Sequence, residues 1–246
     1  MLYRPSSFSQ LPEVVKNLLI INGLFFLATI SLQDTGIDLV RWFGLHQFQS
    51  PDFMPHQMIT HMFMHGDFFH LLFNMFMLWM FGKTLENVWG AKRFLIYYII
   101  TGLGAVIIYV LFVQYQIYGI ANEFPNFLEA AKDGKVSGTV TREGFIPDVN
   151  SSNLSQLVNT PMVGASGAIY GLLLAFGMLF PNTLLYIYFA IPIKAKYVVM
   201  VLGAIALFSG MQNNPSDNIA HFAHLGGMIF GFILLKYWQK NRSNFY

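Results

Sequence analysis

The chain has 246 residues, of which 55% are hydrophobic, 17% aromatic and only 11% charged, with a mean hydropathy of +0.50. Soluble domains carry roughly 25% charged residues, so this composition fits a polytopic membrane protein built as one integral domain over residues 1–246. A net charge of +2 is too small for a nucleic-acid footprint, and the absence of cysteine excludes disulfides, thiol nucleophiles and thiolate metal sites.

About 20 helical residues cross a hydrocarbon core of about 30 Å. By that measure the apolar runs predict an all-α bundle of six transmembrane helices, at 16–33, 68–82, 93–114, 163–180, 197–211 and 219–237. The first 17 residues hold Pro5 and Pro12, and no small-residue cleavage site follows the first apolar run, so this run reads as a retained helix rather than a signal peptide. Residues 34–57 mix Trp42, Phe43, Phe48 and Phe53 with Pro51 and Pro55, which predicts a folded segment lying in the interface. Residues 115–162 form a second long loop, helical at Asn126 to Lys132 and polar, glycine-bearing and mobile from Gly134 to Gln156.

Basic residues orient this arrangement. Ten fall on one side (Arg4, Lys16, Lys83, Lys92, Arg93, Lys194, Lys196, Lys236, Lys240 and Arg242) and four on the other (Arg41, Lys132, Lys135 and Arg142). Both termini are therefore expected in the cytoplasm and both long loops outside. Without a visible organelle-targeting stretch, a bacterial inner membrane is the expected home.

Polar groups inside the apolar runs are costly, and each is by default a functional-site hypothesis. His70 and Asn74 lie one helical turn apart and project from one face. Together an imidazole and an amide could hold a developing oxyanion. Ser166 sits in the run Gly164-Ala165-Ser166-Gly167, and His224 lies in Ala223-His224-Leu225-Gly226-Gly227. Ser166 reads either as a nucleophile or as one more small packing residue beside Gly164, Gly167 and Gly171. The Gly-x-Ser-x-Gly elbow of soluble hydrolases is not met, because Ala168 takes its last position. His224 is followed by Gly227 and Gly231, a small-residue ridge on which a partner helix can approach closely. If that partner carries Ser166, hydroxyl and imidazole meet; otherwise His221 and His224 are buried hydrogen-bonding groups.

Taken together, His65-x4-His70-x3-Asn74, Gly164-x-Ser166-Gly167-x2-Tyr170 and Ala223-His224-x2-Gly227-x3-Gly231, in this order on the second, fourth and sixth runs, resemble the rhomboid intramembrane serine proteases. The resemblance covers the chain from about residue 56 onward. It implies a six-helix rhomboid bundle and a serine endopeptidase acting on transmembrane segments that arrive from the lipid, with no cofactor and no metal. It implies Ser166 as nucleophile, His224 as general base and Tyr170 as a ring stacked on that base. His70 and Asn74, with the Ser166 backbone N–H, would form the oxyanion hole, and Gly227 and Gly231 the close-packing ridge. His61, His65, Asp67 and Gln57 could line the mouth of a polar cavity. Many rhomboids carry a Trp-Arg pair in the first outer loop where this chain has His56 and Gln57, so the anchoring of that loop does not carry over. Two other readings stay open. Paired histidines, His61 with His65 and His221 with His224, have the spacing of ligands in a metal transporter, and a rhomboid-like protein could bind membrane helices without cutting them.

Overall fold

The computed structural model of the protein describes residues 11–141, 144–187, 191–211 and 215–240. Pro5, and Arg4, Arg142 and Arg242 of the charge count, lie outside the described residues.

Helix α1 runs Glu13–Leu32. Its first-turn N–H groups, those of Val14 and Val15, donate to the buried carboxylate of Glu86 at 2.9 and 2.8 Å. An anion there satisfies orphan donors and complements the helix dipole. Glu86→Ala is expected to lower stability by about 2 kcal/mol, read as an earlier midpoint of unfolding in detergent; an unchanged midpoint would contradict this role.

The segment expected on the outer side then folds through α2 (Leu39–Phe43), capped by the Asp38 side chain, and α3 (Gln57–Thr60), which runs into a tight turn at His61–Phe63. Helix α4 (Phe68–Met77) starts at Asp67, whose carboxylate accepts the His70 N–H at 2.9 Å. It passes through a π turn at Leu78–Gly82 into α5 (Lys83–Trp89), so the second apolar helix extends past the expected end at 82. Gly90, at φ +77°, breaks the chain before α6 (Ala91–Glu123).

Helix α6 outlasts the expected 93–114, because Val113 and Ile117 bury against Leu154, Leu157 and Val158. The region expected to be mobile is instead folded. It holds an antiparallel hairpin of β1 (Gly138–Thr141) and β2 (Gly144–Pro147), and α8 (Val149–Asn159), capped by Asp148, whereas α7 (Pro125–Lys132) before it matches the helical stretch expected at Asn126 to Lys132. A second hairpin, β3 (Leu184–Ile187) with β4 (Ile191–Lys194), follows α9 (Ser166–Leu179) and leads into α10 (Ala195–Met211) and α11 (Pro215–Lys240). The fold is mostly helical rather than wholly so.

Among the described residues, Glu13–Thr35, Phe68–Trp89 and Ala91–Glu123 are long and apolar enough to cross a membrane, and Ser166–Leu179 and Ala195–Met211 are shorter apolar helices. Large apolar side chains face outward on α1 (Leu24, Leu27), α4 (Phe69, Phe73) and α10 (Met200, Phe208). Water penalises such faces and lipid does not.

Helix α9 lies at the centre, with ten of its 14 residues buried. A helix apolar all round belongs in a core. Small residues bring its neighbours close: a Cβ on Gly167 would strike Ala105 of α6, one on Gly171 would lie 2.6 Å from Thr101, and one on Gly227 of α11 would overlap the Gly167 carbonyl. The expected glycine ridge on α11 therefore serves two partners. Gly227 meets α9, whereas Gly231 meets Tyr97 and Thr101 of α6.

Candidate active site

Gly164 adopts φ +119°, a conformation that side chains with a Cβ rarely accept, and its N–H donates to the His61 carbonyl at 2.9 Å. This bend places Ser166 as the first residue of α9, three residues later than the expected helix start. Its backbone N–H is one of the terminal donors that no helical carbonyl can satisfy.

The imidazole Nε2 of His224 lies 2.9 Å from the Ser166 hydroxyl oxygen, although 58 residues separate them in the chain. With a neutral ring whose Nε2 is unprotonated, the hydroxyl donates. No hydrogen-bond acceptor or donor among the described residues meets His224 Nδ1, so no carboxylate orients the ring. Tyr170, one helical turn beyond Ser166, holds it instead: the two rings stack at 4.1 Å between centroids and 4° between planes. The His221 ring stands edge-on to that of His224, with centroids 6.2 Å apart.

His70 packs against Gly164 so tightly that a Cβ there would lie 2.7 Å from His70 Nε2 and 3.8 Å from the Ser166 hydroxyl. The Asn74 amide is nearly buried and donates to the His70 carbonyl at 2.9 Å, which leaves its second N–H for another acceptor. Ser166, His224, Tyr170, His70 and Asn74 together border one cavity of about 380 Å³, whose remaining wall, including Phe73, Met77 and Leu202, is apolar. The cavity is walled by α4 and α9, with Leu202 of α10 and His224 of α11. A hydroxyl paired to an imidazole, with unsatisfied N–H donors beside it, is equipped for acyl transfer.

The four residues expected at the mouth stand elsewhere. Asp67 caps α4, Gln57 is buried in the outer segment, and His61 borders a pocket of about 30 Å³ behind Ser166. His65 faces a cleft beside the outer end of α1, with its ring 5.1 Å from that of His70. Burial pushes both His61 and His65 down to about 4 from the ordinary histidine value. An unfolded outer segment would bind protons near 6.5, so it takes up more protons than the folded one as pH falls through this window, and stability falls with it. A loss on the order of 2 kcal/mol per imidazole is expected by pH 5, read as a lower melting midpoint at pH 5 than at pH 7.5. Equal midpoints would count against buried neutral histidines.

Among the described residues, no three histidine, aspartate or glutamate side chains gather as a metal cage. The His61 Nδ1 is engaged with the Gln57 carbonyl at 3.0 Å and His224 Nε2 with Ser166.

Comparison with known proteins agrees with the motifs. A relative in Arabidopsis thaliana, RHOMBOID-like protein 12, mitochondrial, is 28% identical over 77% of this chain and 48% of its own length. In Saccharomyces cerevisiae, Rhomboid protein 1, mitochondrial, is 24% identical over 74% of this chain and 42% of its own. A Bacillus subtilis protein whose name marks it a candidate rhomboid protease, YdcA, is 27% identical over 72% of this chain and 64% of its own. The chain thus spans about half the length of the first two relatives. Both are named mitochondrial, which leaves the bacterial inner membrane expected from the sequence unsupported. The profile of the Rhomboid domain matches residues 52–240, a stretch that holds every residue of the cavity, and the chain belongs to the rhomboid family.

Proposed function

We propose that this protein is an intramembrane serine endopeptidase that cuts transmembrane segments near the outer surface. The observation that carries the reading is the 2.9 Å approach of His224 Nε2 to the Ser166 hydroxyl across two apolar helices. In this reading six helices cross the bilayer: α1, α4 continued through α5, α6, α9, α10 and α11. Both chain ends lie on the side richer in lysine and arginine.

His224 takes the Ser166 proton as the oxygen attacks the scissile carbonyl, which gives a tetrahedral oxyanion. His70, the free Asn74 N–H and the Ser166 backbone N–H receive that charge. His224 then gives its proton to the departing amine, leaving an acyl-enzyme. Water attacks the ester with His224 again as base, and the second fragment leaves as a carboxylate. Stacking on Tyr170 does the work of the usual aspartate, whose charge would be costly to bury here.

Substrates reach the cavity laterally between α4 and α10. Segments whose helices unwind easily beside a small residue are preferred, because a regular helix keeps its carbonyls bonded. Purified protein in detergent, mixed with a labelled single-span polypeptide, is expected to yield two fragments. A panel of such polypeptides left intact by folded protein would overturn the proposal.

A further inference from the structure

Gln57 is fully buried, and its side chain ties together five backbone groups of the preceding outer segment. The amide oxygen accepts the N–H groups of His46 at 3.3 Å and Met54 at 3.1 Å. The amide nitrogen donates toward the carbonyls of Asp52 at 2.9 Å and of Arg41 and Trp42, each at 3.3 Å. Residues 44–56 contain no helix, and the Arg41 and Trp42 carbonyls stand at the C-terminal end of the five-residue α2, so these groups have few helical partners of their own. One side chain satisfies them because an amide both donates and accepts.

The same segment grips the strand of chain that leads into the nucleophile. Leu45 and Met162 exchange N–H···O bonds at 2.9 and 2.8 Å. Gly44 lies so close that a Cβ there would sit 2.9 Å from the Pro161 Cβ and 3.1 Å from Val163. Gly164 donates to the His61 carbonyl, while the His61 ring is held by the Gln57 carbonyl. Gly164 is two residues before Ser166 and rests on His70.

We propose that Gln57 is a positioning residue for acyl transfer: its amide holds residues 41–54 against 161–164 and thereby sets where Ser166 and the oxyanion donors stand. The inference rests on the proteolytic reading above. Displacing a nucleophile by about 1 Å can cost on the order of a hundredfold in rate, and such a displacement acts on turnover rather than on binding. An arginine at this position could donate to the three carbonyls but would offer His46 and Met54 no acceptor, so Gln57→Arg is expected to behave as a loss and not as a replacement.

The test compares kcat, KM and melting midpoint for the full chain, for Gln57→Met, which keeps the length and loses the amide, and for Gln57→Asn, which keeps the amide but falls one methylene short. A drop in kcat of about tenfold or more is expected in Gln57→Met, with KM changed less than about twofold. The chain has no cysteine of its own. Leu45→Cys with Met162→Cys, bridged by a short thiol-reactive linker, is therefore expected to restore most of the lost kcat in the Gln57→Met background. Restoration by the bridge separates positioning from general destabilisation. Unchanged kcat in folded Gln57→Met, or a loss that the bridge does not restore, overturns the inference. If Gln57→Met is unfolded at the assay temperature, Gln57→Asn takes its place with the same expectations. If the unaltered chain cuts nothing, it is the proteolytic reading that fails.

Discussion

Ser166→Ala is expected to lower kcat by about a thousandfold or more while leaving the melting midpoint nearly unchanged. Among the described residues the hydroxyl meets His224 across 2.9 Å, and little packing depends on it. His224→Ala should cost about as much as Ser166→Ala, and the double variant no more than either alone, because nucleophile and base act as a unit. Cleavage of a labelled polypeptide by the three variants measures this directly. Losses that add in the double variant would mean that the two side chains work independently, and full activity in Ser166→Ala would remove the serine from the chemistry. His224→Ala also removes the ring that stacks on Tyr170, so a modest loss of stability is expected for that variant alone.

The second large effect is expected at a residue with no chemistry. Gly227→Val places a side chain where the Gly167 carbonyl already stands, so α9 and α11 must part for it to fit. Overpacking of this kind costs about 1–3 kcal/mol. Here it also separates Ser166 from His224, since Gly167 follows the one and Gly227 lies a turn beyond the other. Activity per folded molecule should fall by about a hundredfold or more. Gly231→Ala supplies the contrast, because its methyl would strike the Tyr97 hydroxyl of α6, which donates to the Gly171 carbonyl farther along α9, and not the Gly167 carbonyl beside Ser166. It is expected to lower the melting midpoint and to leave the turnover of the folded fraction close to that of the unaltered chain. Equal turnover losses at the two glycines would show that the distance between α9 and α11 does not control the reaction.

The pairing of Ser166 with His224 was legible in the sequence because an apolar chain makes both residues conspicuous. A serine among glycines and alanines and a histidine in an apolar run stand out where nearly every other side chain is hydrocarbon. Tyr170 was legible for a simpler reason, since four residues along a helix return to the same face. The division of the glycine ridge was not. Spacing says that Gly227 and Gly231 share a stripe, but not that α9 covers one end of it and α6 the other.

The folded stretch between α6 and α9 escaped for a different reason. Hydropathy falls near residue 115, yet α6 continues to Glu123, because Val113 and Ile117 find an apolar stripe on α8 to bury against. That stripe, Leu154, Leu157 and Val158, is diluted by Ser, Asn and Gln, and a polar average hides it. Four-residue strands such as Leu184–Ile187 carry too few residues for a period to register. Gln57 was read as a residue of the cavity mouth, and nothing in the sequence marked it as a clamp: a glutamine in an aromatic loop becomes one only when the backbone folds around it.

Everything functional in this account depends on an activated serine. The most direct measurement is reaction of the purified protein with a fluorophosphonate probe, followed by mapping of the labelled peptide. A single adduct on Ser166 that disappears in His224→Ala is expected. An adduct on another residue, or labelling of Ser166 at the same rate without His224, would contradict it.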